Sequence, residues 1–122
     1  MRRILVVDDE EGIRLIFLNA LQQAGYEVMT ADSASEALRL VHEQDFDLVL
    51  LDLSLPDSKG LDLLNLLVTS SPDLPVMILT GMPMDQAQVD EAVARGAREF
   101  ISKISSLAFI LQKLERFFKY GG

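Results

Sequence analysis

Polar groups able to do chemistry stand at the ends of four short apolar segments of the chain. Asp8 and Asp9 follow the first of these segments, and Asp52, Thr80 and Lys103 follow three later ones. If the four segments are parallel strands of one sheet, their carboxyl ends meet at the edge where open α/β sheets bind ligands. Three carboxylates, a hydroxyl and an ammonium in one cleft could hold a divalent cation beside a phosphoryl group.

The three carboxylates indicate a metal site. Charges of one sign as crowded as Asp8, Asp9 and Asp52 repel each other unless a cation neutralises them, and oxygen ligands on a shallow site favour Mg²⁺. Asp52 is the predicted nucleophile because it stands alone at its strand end, while Lys103 offsets phosphoryl charge and Thr80 donates a hydrogen bond. A strand-ending aspartate is more often a turn or cap residue, but four matched positions favour chemistry.

The composition suits one globular domain over residues 1–122. The chain has 122 residues, 49% of them hydrophobic, which is too short for two ordinary domains. A net charge of −8 repels nucleic-acid backbones and anionic lipid, so we expect no direct nucleic-acid partner. The chain has no cysteine, and its apolar stretches are shorter than the roughly 20 residues of a membrane span. We therefore expect a cytoplasmic protein.

Five short segments rich in branched apolar residues predict β-strands. Several lack alternation, which is typical of strands buried on both faces of a sheet. Amphipathic segments separate them, so the pattern predicts an α/β fold: a five-stranded parallel sheet, doubly wound, with helices on both faces. The predicted strands are Arg3 to Val7, Glu27 to Ala31, Asp47 to Leu51, Leu74 to Leu79 and Arg98 to Ser102.

The amphipathic segments predict five helices. The first ends at Gly25, and the second begins with a capping box at Ser33. The third covers residues 60–70 and the fifth 106–119. The fourth, residues 85–95, presents small or β-branched side chains and should be the most weakly packed and most mobile helix.

The predicted core residues are Ile13, Ile16, Phe17, Ala20, Leu21 and Ala24 in the first helix, Ala34, Ala37, Leu38 and Val41 in the second, Ala87, Val89, Ala92 and Val93 in the fourth, and Leu107, Ile110, Leu111, Leu114, Phe117 and Phe118 in the fifth.

Four motifs, in this order and spacing, resemble those of the receiver domain of bacterial two-component response regulators. They are Val6 to Glu10, Leu50 to Gly60, Ile78 to Gly81 and Gly96 to Lys103, and the resemblance covers nearly the whole chain. It implies a flavodoxin-like (βα)5 fold with strand order 2-1-3-4-5. It also implies a phosphoprotein that is not an enzyme, although it assists its own phosphotransfer and autodephosphorylation. Such a receiver is either a stand-alone regulator or part of a longer protein.

The resemblance assigns roles to the acids at the strand ends. Asp52 is implied to be the phosphoacceptor, which receives its phosphoryl group from a sensor histidine kinase or a histidine phosphotransfer protein. Asp8, Asp9 and the backbone carbonyl of Ser54 are implied to bind Mg²⁺ beside Asp52.

The resemblance also implies a switch. Thr80 and Lys103 contact the phosphoryl group, and Phe100 is the aromatic residue whose rotamer couples phosphorylation to an outward surface. The alternative for Phe100 is an ordinary core position in its strand. A phosphoryl group adds roughly −1.5 to −2 charge, which can draw Thr80 inward and leave room for Phe100 to rotate. The fourth helix is the element most easily displaced.

Two positions depart from the pattern of the family. Ile104 follows Lys103, where the family usually has proline after a cis peptide bond. A cis bond before a residue other than proline costs about 3 kcal/mol, so the loop either keeps that form under strain or runs trans and shifts the lysine. Lys59 precedes Gly60, where a small or acidic residue is more usual; it is either a solvated side chain or a cation at the mouth of the cleft.

Two exposed apolar surfaces are predicted to meet partners. On the first helix, Leu15 and Leu18 lie nearly opposite the core stripe, and we hypothesise that the helical bundle of the phosphodonor docks there; scattered exposed leucines are the alternative. On the fifth helix, Phe109 and Tyr120 lie away from the core. They are candidates for a phosphorylation-dependent surface that binds a downstream output domain or protein, or a second copy of the chain.

Absent motifs narrow the function classes. The sequence has no G-x-G-x-x-G, P-loop or G-x-S-x-G motif, and its only histidine is His42, which excludes a Ser-His-Asp enzyme. Three classes remain: a phosphoaccepting signalling module, a receiver-like interaction module that does not depend on phosphorylation, and a flavodoxin-like cofactor binder. The third is disfavoured because the acids of residues 8–11 stand where a flavin phosphate would bind.

Overall fold

Strands and helices alternate along the whole chain. In residues 1–55, 57, 60–81 and 84–121, which the computed structural model describes, there are five strands and five helices. They are β1 (Arg3–Val7), α1 (Glu11–Gln23), β2 (Glu27–Ala31), α2 (Ala34–Glu43), β3 (Leu48–Asp52), α3 (Gly60–Ser70), β4 (Val76–Thr80), α4 (Gln86–Ala94), β5 (Glu99–Ser102) and α5 (Leu107–Tyr120).

The strand predictions are confirmed, with shifts of one or two residues at the starts of β3, β4 and β5 and of one residue at the ends of β3 and β4. Asp47 lies just before β3, and its carboxylate accepts the backbone N–H of Arg3 at 2.8 Å. Pro75 has no N–H to donate, and β4 begins only after it. Asp52 is itself the last residue of β3 and pairs with Leu79 in the ladder, so the acid is part of the sheet.

The sheet is parallel throughout and has the predicted order β2-β1-β3-β4-β5. Val7 is in register with Ala31 and Leu51, and Thr80 is in register with Ser102. The residues that follow these positions therefore emerge at one edge, as the sequence predicts.

Helices cover both faces of the sheet, which confirms the doubly wound architecture. Buried residues of α2, α3 and α4 form one cluster with side chains such as Val49 and Leu51 of β3. Buried residues of α1 and α5 form a second cluster with Leu48 and Leu50 of the same strand. Alternate residues of β3 thus face opposite layers, which explains why that strand is apolar at consecutive positions. None of the described helices is both long and apolar enough to cross a membrane.

The orientation of α1 differs from the prediction. Phe17 and Leu21 are buried, but Ile16, predicted to be in the core, is 49% exposed. Leu18, predicted to face solvent, packs against the cluster of α1 and α5. Residues adjacent to Phe17 are about 100° from it around the helix, so both flank the buried stripe, and the flank that carries Leu18 is the one that is covered. Leu15 is half exposed, as predicted.

Three other helices bury fewer of the predicted residues. Leu40 of α2 is buried although it was not predicted, and Leu107 of α5 is 41% exposed although it was predicted to be in the core. In α4 only Ala92 is buried, and Val93 is 53% exposed. The weak packing of α4 is confirmed, and its mobility stays a prediction. Among the remaining predicted core residues, Ala24 and Ala87 are exposed. The half-buried ones are Ile13, Ala20, Leu38, Val41, Val89, Leu111, Phe117 and Phe118.

Two glycines are required where helices meet loops. Gly25 ends α1 with a φ of 97°, the left-handed conformation that the sequence predicts for a helix stop. Gly60 begins α3 against the end of β3: its N–H donates to the carbonyl of Leu53 at 3.0 Å. A Cβ at Gly60 would overlap the backbone of Leu53, so this approach is open only to glycine.

We expect Gly60→Ala to lower the free energy of unfolding by about 1–3 kcal/mol, because the added methyl group meets backbone that cannot move aside. Gly12→Ala is the matched control, since a Cβ there meets nothing within 4 Å and alanine favours the helix by up to about 1 kcal/mol. Urea denaturation measures both. Equal stability of the two variants would contradict the close approach of α3 to β3.

Candidate functional site

The carboxyl edge of the sheet forms a cleft of about 640 Å³. The predicted convergence of strand-end groups is confirmed: Asp9, Asp52, Ser54, Thr80 and Lys103 all line this cleft. Asp8, at its base, is fully buried. The cleft is also lined by residues that sequence reasoning missed, namely Glu10, Leu53, Leu79, Gly81, Met84 and Gln88.

Asp52 is held at both carboxylate oxygens. Its side chain is almost fully buried, with 5% of the residue exposed. Oδ1 accepts the backbone N–H of Ser54 at 3.0 Å, and Oδ2 accepts a hydrogen bond from the Lys103 ammonium at 3.2 Å. The carboxylate is therefore fixed in orientation at the floor of the cleft.

Lys103 neutralises several acids at once. Its side chain is 7% exposed, and Nζ lies 2.7 Å from Asp8 Oδ2, 3.2 Å from Asp52 Oδ2 and 3.3 Å from Glu10 Oε1. Burial alone would lower the pKa of Lys103, but its hydrogen bonds and its attraction to Asp8 and Asp52 raise the pKa above the ordinary value. The group thus remains a cation.

Replacement of the family proline by Ile104 does not move the lysine out of the cleft. The Lys103-Ile104 peptide bond is trans, which answers the question the sequence left open. The backbone N–H of Lys103 donates to the carbonyl of Thr80 at 2.8 Å, so the β4-β5 ladder continues one residue past β5. Ile104 itself is 89% exposed.

Asp8 carries a buried oxygen with unused capacity. Its backbone N–H donates to the carbonyl of Ala31, and its Oδ1 accepts the N–H of Glu10 at 2.9 Å. The guanidinium of Arg14 donates to the backbone carbonyl of Asp8 at 2.7 Å. Oδ2 accepts no hydrogen bond of good geometry, although the Lys103 ammonium lies close to it. Such an oxygen can accept a further positive partner.

One group of acids in the described part of the chain could hold a cation. Asp8, Asp9 and Glu10 each offer a carboxylate oxygen, and these atoms lie within 4.8 Å of one another. An oxygen-only donor set of this kind fits a hard divalent ion such as Mg²⁺. Glu10 was not among the predicted ligands; its signal in the sequence was its place directly after the aspartate pair.

The surroundings of Asp52 make its charge costly without added cations. Burial raises the pKa of the Asp52 carboxyl, and the negative charge of Asp8 acts in the same direction. The N–H of Ser54 and the ammonium of Lys103 oppose this, but the pKa remains raised. Further positive charge in the cleft would favour the ionised form, which is the nucleophilic one.

The predicted switch residues lie on neighbouring strands. Thr80 is half-buried at the end of β4, and Phe100, in β5, is in register with Ile78. Phe100 is half-buried and packs against the cluster of α2, α3 and α4. Its role as a switch stays a prediction.

The predicted partner residues have mixed outcomes. Phe109 is 53% exposed and Tyr120 is 73% exposed, as predicted. On α1, Leu15 is exposed together with Ile16, which replaces the inward-packed Leu18 on that surface. Lys59 lies outside the described residues.

A family model described as the response regulator receiver domain matches residues 4–115. Among curated relatives, the alginate biosynthesis transcriptional regulatory protein AlgB of Pseudomonas putida is 41% identical over 101 residues, which are 83% of this chain and 22% of that protein. The chain therefore spans about a fifth of the length of this relative.

Solved structures share the fold. A response regulator receiver domain protein (CheY-like) from Methanospirillum hungatei superposes with a TM-score of 0.91 at 29% identity, over 98% of this chain and 94% of that one. The response regulator TrrA from Thermotoga maritima, solved in complex with Mg²⁺ and BeF, gives a TM-score of 0.84 at 32% identity, over 95% of this chain and 98% of that one.

We expect Lys103→Met to lower the free energy of unfolding by about 3–5 kcal/mol in the absence of divalent cations, because it leaves Asp8 and Asp52 buried without their partner. Lys113→Met is the control: Lys113 pairs with Glu99 at 3.1 Å on a more exposed surface, where such pairs contribute about 1 kcal/mol or less. Urea denaturation compares the two variants. An equal decrease in the free energy of unfolding in both variants would show that the contacts of Lys103 contribute no more than a surface ion pair.

Proposed function

We propose that this chain, which belongs to the response regulator receiver domain family, is a signalling switch activated by Mg²⁺-dependent phosphorylation of Asp52. The observation that carries the proposal is the pairing of Asp52 with Lys103 at 3.2 Å on the floor of a cleft also lined by Asp9 and Thr80. We take residues 1–122 as one receiver domain, and any output unit as a separate domain or protein.

The transfer step uses groups already in the cleft. A carboxylate oxygen of Asp52 forms a bond to phosphorus as the phosphorus–nitrogen bond of a phosphohistidine breaks. The histidine nitrogen keeps the electron pair of that bond and takes up a proton. Lys103, held as a cation by Asp8 and Asp52, offsets the charge of the incoming phosphoryl oxygens, and the Thr80 hydroxyl donates a hydrogen bond to one of them. The donor is a sensor histidine kinase or a histidine phosphotransfer protein.

The acids of the cleft would hold the metal. Asp8, Asp9, Asp52 and the backbone carbonyl of Ser54 are the proposed ligands, and Glu10 is close enough to contribute. A bound Mg²⁺ supplies positive charge that lowers the cost of bringing phosphoryl oxygens beside these carboxylates. The clustering of carboxylate oxygens from Asp8, Asp9 and Glu10 within 4.8 Å of one another supports this assignment.

A conformational change at Thr80 is transmitted through Phe100 to the surface of the protein. A phosphoryl group on Asp52 draws the Thr80 hydroxyl toward it, and Phe100, on the neighbouring strand β5, rotates into the space that is vacated. The weakly packed α4 then shifts, which changes the surface formed with α5 around Phe109. A downstream output domain, an output protein or a second copy of the chain reads that surface.

The alternative is an interaction module that does not use phosphorylation. It would be favoured if Ile104, in place of the family proline, moved Lys103 out of the cleft. Its support is weak because Lys103 occupies the cleft with a trans peptide bond after it. The sequence also carries all of the residues that the resemblance assigns to phosphorylation: Asp8, Asp9, Asp52, Thr80 and Lys103.

Incubation with Mg²⁺ and phosphoramidate should add one phosphoryl group to the wild type, measured as intact mass. Asp52→Asn should add none, because an amide is not a nucleophile for phosphorus. Asp45→Asn, an exposed aspartate outside the cleft, is the control and should react as the wild type does. A wild type without added mass, or an unchanged gain in Asp52→Asn, would contradict the proposal.

The exposed pair Leu15 and Ile16 should form the docking surface for the phosphodonor. With a histidine kinase that phosphorylates the wild type, we expect the double change Leu15→Glu, Ile16→Glu to slow transfer about tenfold or more, as loss of central interface contacts does. Reaction with phosphoramidate should be unchanged. Leu66→Glu, at an equally exposed leucine on α3, is the control; an equal slowing there would contradict a docking surface confined to α1.

A further inference from the structure

A carboxylate in the segment between β3 and α3 reaches across to another helix. Asp57 Oδ1 accepts the backbone N–H of Ala34 at 2.8 Å, and Oδ2 accepts the N–H of Ser35 at 3.1 Å. These are the first two residues of α2, more than twenty positions away in the sequence. Both oxygens of one side chain are thus committed to consecutive backbone donors.

The helix α2 already has a cap of its own. Ser33 Oγ accepts the N–H of Glu36 at 3.2 Å, which is the serine half of the predicted capping box; the Glu36 carboxylate accepts hydrogen bonds from Arg39 instead. Asp57 satisfies the two remaining donors of the first turn, and its negative charge suits the positive end of the helix dipole. The amides of Ala34 and Ser35 hold the pKa of the Asp57 carboxyl below its ordinary value, so the anchor is ionised near neutral pH.

Asp57 belongs to the part of the chain that follows Asp52, between β3 and α3. At its start, the N–H of Ser54 donates to Asp52 Oδ1 at 3.0 Å. At its end, the N–H of Gly60 donates to the carbonyl of Leu53 at 3.0 Å. Between these two closures, Asp57 joins the segment to α2.

The first turn of α2 is a firm anchor point. Ala34, Ala37 and Leu40 are buried in the cluster of α2, α3 and α4. Asp57 therefore joins its part of the chain to a firmly packed helix, and Leu55, two residues earlier, is buried in the same cluster.

We propose that Asp57 is a positioning residue for the phosphorylation site: by joining the chain that follows Ser54 to the first turn of α2, it places the Ser54 backbone carbonyl beside Asp52 and so sets the affinity of the cleft for a divalent cation. This inference rests on the proposed function, because Ser54 is a ligand only if the cleft holds Mg²⁺. Asp57 itself touches neither metal nor phosphoryl group. Loss of residues that orient metal ligands typically weakens metal binding by about 10- to 100-fold.

Two alanine variants separate positioning from helix capping. Asp57→Ala and Ser33→Ala each remove a cap from the same turn of α2, but only Asp57→Ala removes the link between α2 and the chain that follows Ser54. Isothermal titration calorimetry with Mg²⁺ should show a Kd raised about tenfold in Asp57→Ala and within about twofold of the wild type in Ser33→Ala. Urea denaturation establishes that both variants are folded at the titration temperature. If Asp57→Ala is unfolded, Asp57→Asn, which keeps one acceptor oxygen, replaces it.

Phosphorylation gives a second readout. With phosphoramidate, the rate for Asp57→Ala should fall at low Mg²⁺ and recover at saturating Mg²⁺, because the nucleophile and Lys103 are unchanged. Equal effects of the two alanine changes on the Mg²⁺ Kd, or none in either, would overturn the inference and leave Asp57 as a helix cap. A wild type that binds Mg²⁺ but takes no phosphoryl group would overturn the proposed function alone; one that binds no Mg²⁺ would overturn both.

Discussion

The ammonium of Lys103, held among buried carboxylates, is the interaction on which the carboxyl edge of the sheet depends. Asp8 and Asp52 are both removed from water, and a buried charge without a partner is costly. The acids come from the ends of β1 and β3, whereas the lysine follows β5, so its stem must cross the end of β4. The stem passes close to Gly81, where a Cβ would lie 3.7 Å from Lys103 Cδ, an ordinary contact distance. Strand order and a long cationic side chain after β5 are therefore linked requirements.

The strands and the groups at their ends could be predicted because strands buried on both faces leave uninterrupted apolar runs in the sequence. Asp52, Thr80 and Lys103 needed only strand order and register to meet. The rotation of α1 could not be predicted, because Ile16 and Leu18 flank the buried stripe at similar angles and tertiary packing decides which of them is covered. The contacts of Asp57 with α2 are also tertiary: no local pattern relates a carboxylate to helix donors more than twenty residues earlier.

The same cleft is bordered by the least anchored helix. Only Ala92 of α4 is buried, yet Gln88 of this helix and Met84 just before it line the cleft beside Asp52. The start of α4 is nevertheless well defined, because Asp85 and Gln88 form a reciprocal capping box. A helix with a fixed beginning and few buried side chains can move as a unit when charge is added nearby. On the other side of Asp52, the segment that contains Ser54 is held by α2, which is firmly packed.

We propose that Asp52 accepts the phosphoryl group while Lys103 and the acids that follow β1 surround it. A crystal structure with Mg²⁺ and beryllofluoride, a mimic of the phosphoryl group, is the most direct test. We expect beryllium bonded to a carboxylate oxygen of Asp52, Mg²⁺ bound by Asp8 or Asp9 with the Ser54 carbonyl, and Lys103 Nζ within hydrogen-bond distance of a fluorine. A beryllium adduct on another acid, or Lys103 turned out of the cleft, would contradict it.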